Sequence, residues 1–469
     1  MVGTDRQRPR RLVLAIVLIL AMVTAACGAR FDDDTPVAAS RGATGDTTQL
    51  DAGTPVDGAV TVDPITGETI PAAGGPTPAA GAGNRAATAT TRAGSSSASA
   101  VAAGAVEPGP STGVTATRIK IGYLLPLTGA APVPSNFDKG ANVYWRYVND
   151  RNGINGRKVD IIIKDTQSSA SVGKQEAQKL IEDDKVFAIV VLDRLENQKA
   201  IGAFLDARKV PNIQIQTPAN LDASQTWTFG VTIDHAVQGA LIADYLIKSH
   251  PKASKLAIVY ENTSELHPGR DAFTKRVQAL GKQVTYSKAI EGQENNFSDV
   301  ALELSNSGAT ATWLYMAPTP AAKLANQADS AGYHPTWFAN SISWGFDLVF
   351  TVGPKALAGA RAFSPWLPLT DPRTKTFRDA YQSQTGETPD DLGIVGWGVG
   401  EIVGEAIRRT PNPLGQNNFR HSFQNLDFKP QVWAPVKFGA GVRNGAANVA
   451  VLKESGGRWA LDRDFSSSF

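Results

Sequence analysis

Beyond Thr117 the chain alternates short apolar runs with stretches of helical period, and this alternation restricts the fold more than any other feature of its 469 residues. Residues 118–125 (RIKIGYLL) read as a strand leading into Pro126, Leu127, Thr128 and Gly129. Phe137, Ala141, Tyr144, Trp145 and Val148 then recur at i, i+4, i+7, i+8 and i+11, the stripe of one helix face. Turn residues Asn152, Gly153, Asn155 and Gly156 introduce a second strand at 159–164. Ala177, Leu180 and Ile181 mark a helix, 186–192 a strand, Ile201, Phe204 and Leu205 a helix, and 212–216 a strand. A second series starts near Ala236, with strands expected at 255–260, 284–287, 310–316 and 336–339. Its helices are marked by Leu241, Ile242, Tyr245 and Leu246, then Phe273, Val277 and Leu280, then Phe297, Val300, Ala301 and Leu304, then Ala321, Leu324, Ala325 and Ala328. Near-continuous apolar strands separated by helices predict α/β architecture with parallel sheets covered on both faces. Two series predict two doubly wound lobes. Ligands in such sheets sit outside the carboxyl ends of the strands, so two facing lobes would enclose a cleft.

The first 116 residues have a different texture. Arg6, Arg8, Arg10 and Arg11 form a basic head, followed by an apolar run at 12–23. About a dozen residues are too few for a spanning helix of about 20 but suit a signal-peptide core. The run ends Thr24, Ala25, Ala26, Cys27, and Cys27 is the only cysteine in the chain. These residues resemble a bacterial lipobox, which implies a lipoprotein signal at 1–26 and acylation of Cys27. An ordinary secretory signal beside an incidental cysteine is the competing reading. Buried acyl chains contribute about 0.8 kcal/mol per CH₂, enough in pairs to hold a protein at a membrane. Residues 28–116 are rich in Ala, Gly, Thr, Pro and Ser, with almost no aromatic residue after Phe31. Such a segment buries too little apolar surface to offset ordering entropy. It is expected to be a disordered tether, 27–116 with its cysteine, of r.m.s. span about 50 Å.

Several functions are excluded by composition. Lys and Arg number 46 against 44 Asp and Glu, and the head supplies four of the arginines. The remainder is near neutrality, which gives no electrostatic basis for binding nucleic acid. One cysteine excludes an intramolecular disulfide and a Cys-rich zinc site, and the five histidines show none of the usual ligand spacings. No Gly-x-Ser-x-Gly elbow, phosphate-binding loop or His-Glu-x-x-His sequence occurs. No cofactor, metal or enzymatic chemistry is therefore expected. Gly396-Trp397-Gly398-Val399-Gly400 imitates a dinucleotide loop, but it lies within a helix pattern at 391–409. Glycines 396, 400 and 404 at i, i+4 and i+8 suit close helix packing instead.

Ile119-Lys120-Ile121-Gly122, Pro126-Leu127-Thr128-Gly129 and Gly153 through Val159 resemble the opening of the branched-chain amino-acid type periplasmic binding proteins. The resemblance continues through residues 177–180, 296–298 and 327–332, Pro365-Trp366, and Phe377, Tyr381 and Gly386. It implies the type I fold of the solute receptors of ABC importers: lobe 1 from 117–234 and 367–430, lobe 2 from 235–366 and 431–469. Three crossovers near Asp234, Leu367 and Pro430 would join them. The implied partners are a small-molecule ligand, the transmembrane permease of an ABC transporter, and the membrane through the lipid anchor. A ligand-sensing receptor using the same cleft is the alternative; an envelope hydrolase or scaffold lacks the nucleophile it would need.

The ligand-facing positions implied by the resemblance are Ala130, Arg194, Leu195, Glu196, Gln216, Thr217, Leu266, His267, Pro318, Asn340 and Ser341. Amino-acid-binding members place small hydroxyl residues after the third strand to hold the ligand carboxylate; Arg194 and Leu195 stand there in this chain. Ser341 stands where those members carry an acidic partner for the ammonium. Thr217 keeps a hydroxyl, and the tyrosine position falls on Ala317 or Pro318. An uncompensated buried charge costs several kcal/mol, so a free branched-chain amino acid is an unfavourable ligand. Arg194 could pair with a ligand carboxylate, with Glu196 or Glu265 facing a cation or hydroxyl. Alternatively, Arg194 and Glu196 pair with each other or face solvent. Trp344, Phe346 and Trp366 line the cleft or belong to the core. Replacing Cys27→Ser should abolish acylation and move the protein from the membrane to the soluble fraction; detergent partitioning unchanged by the substitution would contradict the lipoprotein reading.

Overall fold

The computed structural model describes residues 106–129, 136–215, 221, 224–253, 255–291, 294–340 and 347–469. The signal segment, Cys27 and the tether as far as residue 105 lie outside the described residues. Among those described, no helix is long and apolar enough to cross a membrane.

The first sheet holds β1 (Arg118–Leu125), β2 (Lys158–Asp165), β3 (Ala188–Val191), β4 (Asn212–Gln214) and β5 (Thr228–Gly230) in the order β2-β1-β3-β4-β5. Every pairing in it is parallel. Helices α1 (Asn136–Asn149), α2 (Ala170–Glu182) and α3 (Leu195–Ala207) connect its strands. The second sheet holds β6 (Lys255–Glu261), β7 (Gln283–Ile290), β8 (Ala311–Tyr315), β9 (Thr336–Asn340), β10 (Arg361–Ser364), β13 (Val449–Glu454) and β14 (Trp459–Ser466) in the order β14-β13-β10-β9-β8-β6-β7. Its helices are α4 (His235–Ser249), α5 (His267–Ala279), α6 (Ser298–Ser307), α7 (Pro318–Ser330) and the short α8 (Leu348–Val352). The chain then forms α9 (Lys375–Thr385), α10 (Asp391–Arg409) and α11 (Gln416–Gln424), and a two-stranded pair of β11 (Asp427–Phe428) with β12 (Val436–Lys437).

Both faces of both sheets are covered, as near-continuous apolar strands require. In β1, Ile119, Ile121, Tyr123 and Leu125 enter one core, while Leu124 enters another built with Ala177, Leu180 and Ile201. In β6, Ala257 and Val259 face one core and Leu256, Ile258 and Tyr260 the other. Successive strand residues point to opposite faces, so each run fills two layers.

The sequence pattern missed several elements. β5, β10 and the β13–β14 hairpin were not foreseen, and the hairpin adds two antiparallel strands to the otherwise parallel second sheet. The strand expected at 212–216 ends at Gln214. The crossing expected near Pro430 is displaced: Val432, Trp433, Ala434, Val436 and Phe438 belong to the first core, and the chain enters the second sheet at Val449. Apolar residues there pack on α10 and α11, contacts that the resemblance did not locate. The tether's expected end at 116 also moves. Pro108 O accepts from Asn417 N–H at 2.9 Å and Pro110 O from Gln416 N–H at 2.8 Å, so this strap satisfies orphan donors at the amino end of α11. Gly113 O accepts from Lys120 N–H at 2.8 Å.

Glycines in α10 behave as their spacing predicts. A Cβ at Gly396 would fall on the backbone of α1 near Phe137 and Ala141, and Cβ atoms at Gly400 and Gly404 on the Tyr144 ring. Conversely, a Cβ at Gly140 would fall on the Gly393 carbonyl. Close packing of the two helices buries Trp397, Val399, Ile402 and Val403. Backbone cannot swing aside as a side chain can, and overpacking costs about 1–3 kcal/mol or more. Gly140→Ala should therefore lower the unfolding free energy by about 3 kcal/mol or prevent folding, read by urea denaturation; a change within about 0.5 kcal/mol would contradict this packing.

Candidate functional site

The predicted site residues that are described lie at the carboxyl edges of the two sheets. On the first lobe, Leu192 and Asp193 follow β3, and α3 starts at Leu195 with Arg194 as its N-cap. Asp193 is buried, and its Oδ1 accepts from Arg194 N–H at 2.7 Å and Asn197 Nδ2 at 2.8 Å. Its Oδ2 accepts from the Thr166 hydroxyl, from the loop after β2. With both oxygens engaged, Asp193 fixes the loop and the amino end of α3. Its local sequence gave no sign of this, because Thr166 is brought to it only by the pairing of the strands.

Arg194 is exposed and forms no ion pair among the described residues. Leu195 is buried against the first lobe. Glu196 neither pairs with Arg194 nor is left to solvent alone; it reaches the second lobe. Glu196 N–H donates to Glu265 Oε1 at 2.9 Å, and Ser264 Oγ donates to Glu196 Oε1 at 3.2 Å. The two bonds form a reciprocal clasp between the first turn of α3 and the loop before α5. Burial raises the Glu265 pKa above the usual carboxylate value, opposed by the Glu196 N–H and the charge of Arg194, and assisted by Glu196 and Glu261.

This clasp brings Arg194, Leu195 and Glu196 to Leu266 and His267, which cap and begin α5. The His267 ring meets Tyr260 edge-on, with centroids 6.1 Å apart. Pro318 begins α7 after β8, and Asn340 ends β9. Both share the carboxyl edge of the second sheet with Glu261. Asn340 is buried and its Oδ1 has no hydrogen-bond partner among the described residues. Ala130, Gln216, Thr217 and Ser341 lie outside the described residues, as do Trp344 and Phe346. Among the described residues no group of three His, Cys, Asp or Glu side chains could hold a metal ion.

A second contact spans the lobes at Asp391. This first residue of α10 is buried, and its Oδ2 accepts from Asp347 N–H at 2.7 Å. Asp347 Oδ1 in turn accepts from Trp459 N–H at 2.8 Å. Burial pushes the Asp391 pKa well above the carboxylate range, and the Asp347 charge adds to it.

The crossovers meet at two tryptophans. Trp366 does not line a cleft; it is buried against Trp433, with centroids 5.6 Å apart. Trp433 Nε1–H donates to Val231 O at 2.9 Å, Leu367 N–H to Val432 O at 2.9 Å, and Ala434 N–H to Pro365 O at 2.7 Å. The first two crossover segments are thereby joined to residues 432–434 of the first core.

A periplasmic binding protein family model matches residues 118–457. The chain belongs to this family. Leu/Ile/Val-binding protein homolog 1 of Brucella melitensis is 24% identical over 283 residues, covering 56% of this chain and 72% of that protein. A branched-chain amino acid ABC transporter protein from Thermus thermophilus with bound valine superposes with TM-score 0.67 at 14% identity, over 75% of this chain and 97% of its own. A fatty acid ABC transporter substrate-binding protein from Thermomonospora curvata superposes with TM-score 0.66 at 19% identity, over 77% and 95%.

The hinge carries its own titration. Glu401 on α10 accepts from Gln431 N–H at 3.0 Å, Val432 N–H at 3.2 Å and Trp397 Nε1–H at 3.1 Å. Burial raises its pKa from 4.5 to about 7 despite these bonds. The folded state thus holds this proton more tightly than the unfolded chain does, so its contribution to stability declines as pH rises from about 4.5 to about 7. Glu401→Gln should flatten urea midpoints across this window; an unchanged pH profile would contradict the assignment.

Proposed function

We propose that the chain is the extracytoplasmic, lipid-anchored solute-binding component of an ABC importer. It captures a small polar or amphipathic molecule between its two lobes and presents it to a transmembrane permease. The observation that carries this reading is the meeting of the two carboxyl sheet edges at the Glu196–Glu265 contact, across the place where such sheets take ligands. Anchoring through Cys27 rests on the signal-like head and the small residues before the cysteine. Domain closure about the crossovers would bring both edges onto the ligand.

Free leucine, isoleucine and valine are poor candidates. Leu195 offers no hydroxyl to a carboxylate and Ser341 no charge to an ammonium, and Glu196 N–H is engaged by Glu265. Neighbouring structures hold valine and benzoate, and another belongs to a fatty acid transporter, a range that extends beyond amino acids. A sensing role has one observation behind it, the 20% identity over 273 residues to Arabidopsis glutamate receptor 1.1, covering 33% of that receptor. Neighbouring permease and ATPase genes would favour import over sensing.

Thermal-shift screening tests the ligand class, because a ligand at a hundredfold excess over Kd stabilises by about 2.7 kcal/mol. Carboxylates, amides or larger polar compounds should stabilise the protein, and leucine should not. A micromolar response to leucine would overturn this reading. Arg194→Ala should weaken an anionic ligand at least about tenfold, about 1.4 kcal/mol; unchanged affinity would place the guanidinium outside the site.

A further inference from the structure

Two hydrogen-bonded contacts between the lobes set acid against acid. At the first, Glu265 of the second lobe accepts from Glu196 N–H, while the Glu196 carboxylate accepts from Ser264. At the second, Asp391 of the first lobe accepts from the backbone of Asp347, whose own carboxylate accepts from Trp459 N–H. Among the described residues, neither contact contains an ion pair. A third contact behaves differently: Arg373, beside the second crossover, binds both Asp371 and Asp464, at 2.9 Å each.

We propose that closure of the two lobes is linked to proton uptake, with Glu265 and Asp391 holding the cleft shut when protonated and releasing it when ionised. A protonated carboxyl still accepts an N–H through its carbonyl oxygen, so both bonds survive protonation. Opening returns each carboxyl to water, where its charge is solvated.

The charged groups facing each acid support this direction. Glu265 meets Glu196 on α3 and Glu261 on β6, with Arg194 opposing them. Asp391 meets Asp347 before α8 and Asp390 before α10, with Arg458 of the β13–β14 turn opposing. In both cases burial outweighs the opposing arginine, so the closed form binds the proton more tightly. Below the open-state pKa both forms are protonated and closure is fully favoured. As pH rises, the open form ionises first and the closed population falls, by at most about tenfold per pH unit for each linked proton. The Arg373 contact is charge-compensated, and its Asp371 carboxyl is held below the usual range, so it does not follow this titration.

The inference uses the two-lobed closure on which the proposed function also draws, but it requires no ligand. Dyes placed at Lys199→Cys on α3 and Lys275→Cys on α5, both exposed positions, in the full chain carrying Cys27→Ser, would report closure by energy transfer. The closed population should fall roughly threefold or more from about pH 5 to about pH 8. Glu265→Gln combined with Asp391→Asn should remain closed across that range, and Glu265→Gln alone should lose part of the fall. A closed population independent of pH in the parent protein would overturn the proposal, and so would an undiminished fall in the single or double variant. Because no ligand enters the measurement, failure to find one would leave this result standing.

Discussion

Trp433 lies where three passages of the chain meet, and the behaviour of the molecule as two lobes rests on what it touches. Its indole N–H holds Val231 in the first crossover, and its ring packs on Trp366 in the second. Its backbone segment belongs to the first core, ahead of the third crossover, and Glu401 of α10 accepts the preceding N–H groups. Each lobe is assembled from separated stretches of sequence, so neither core closes until these passages are in place. Contacts between domains of one chain are ordinarily small enough to permit relative motion.

Much of the architecture was legible because burial on both faces imposes an unmistakable pattern. Residues 118–125 and 255–261 are apolar enough to fill two layers, and intervening stripes such as Phe137 to Val148 can only be helical faces. The glycines of α10 were legible too, since their spacing places all three on one face. What could not be read was partnership at long range. β10 has four residues and β13 six, and only the sheet they join identifies them. Pro108 and Pro110 sit in a composition that signals disorder, yet their carbonyls meet N–H groups about 300 residues away.

For the candidate site, positions along the strands and helices were more legible than contacts. Arg194, Leu195, Glu196, Leu266 and His267 do fall at facing edges, because the ends of strands and starts of helices were well placed. Their roles depend on neighbours that sequence does not supply. Glu196 looked free to meet a ligand or Arg194, and instead bonds Ser264; Asp193 looked like one more loop residue, and is consumed by Thr166, Arg194 and Asn197. Trp366, large enough to line a cleft, is buried against Trp433. Asp347 and Asp391 carried no signal, since nothing in either segment announces the other.

These contacts give the account its physical centre: a cleft whose facing edges are held by carboxylates, with an exposed arginine beside them. Hydrogen exchange measured with and without any compound that stabilises the protein tests this centre most directly. Added protection is expected at 193–198, 261–268 and 339–340, at the carboxyl edges of the two sheets. Protection confined instead to the outer groove of the first lobe, lined by Tyr147, Arg151, Asp379 and Gln384, would contradict it.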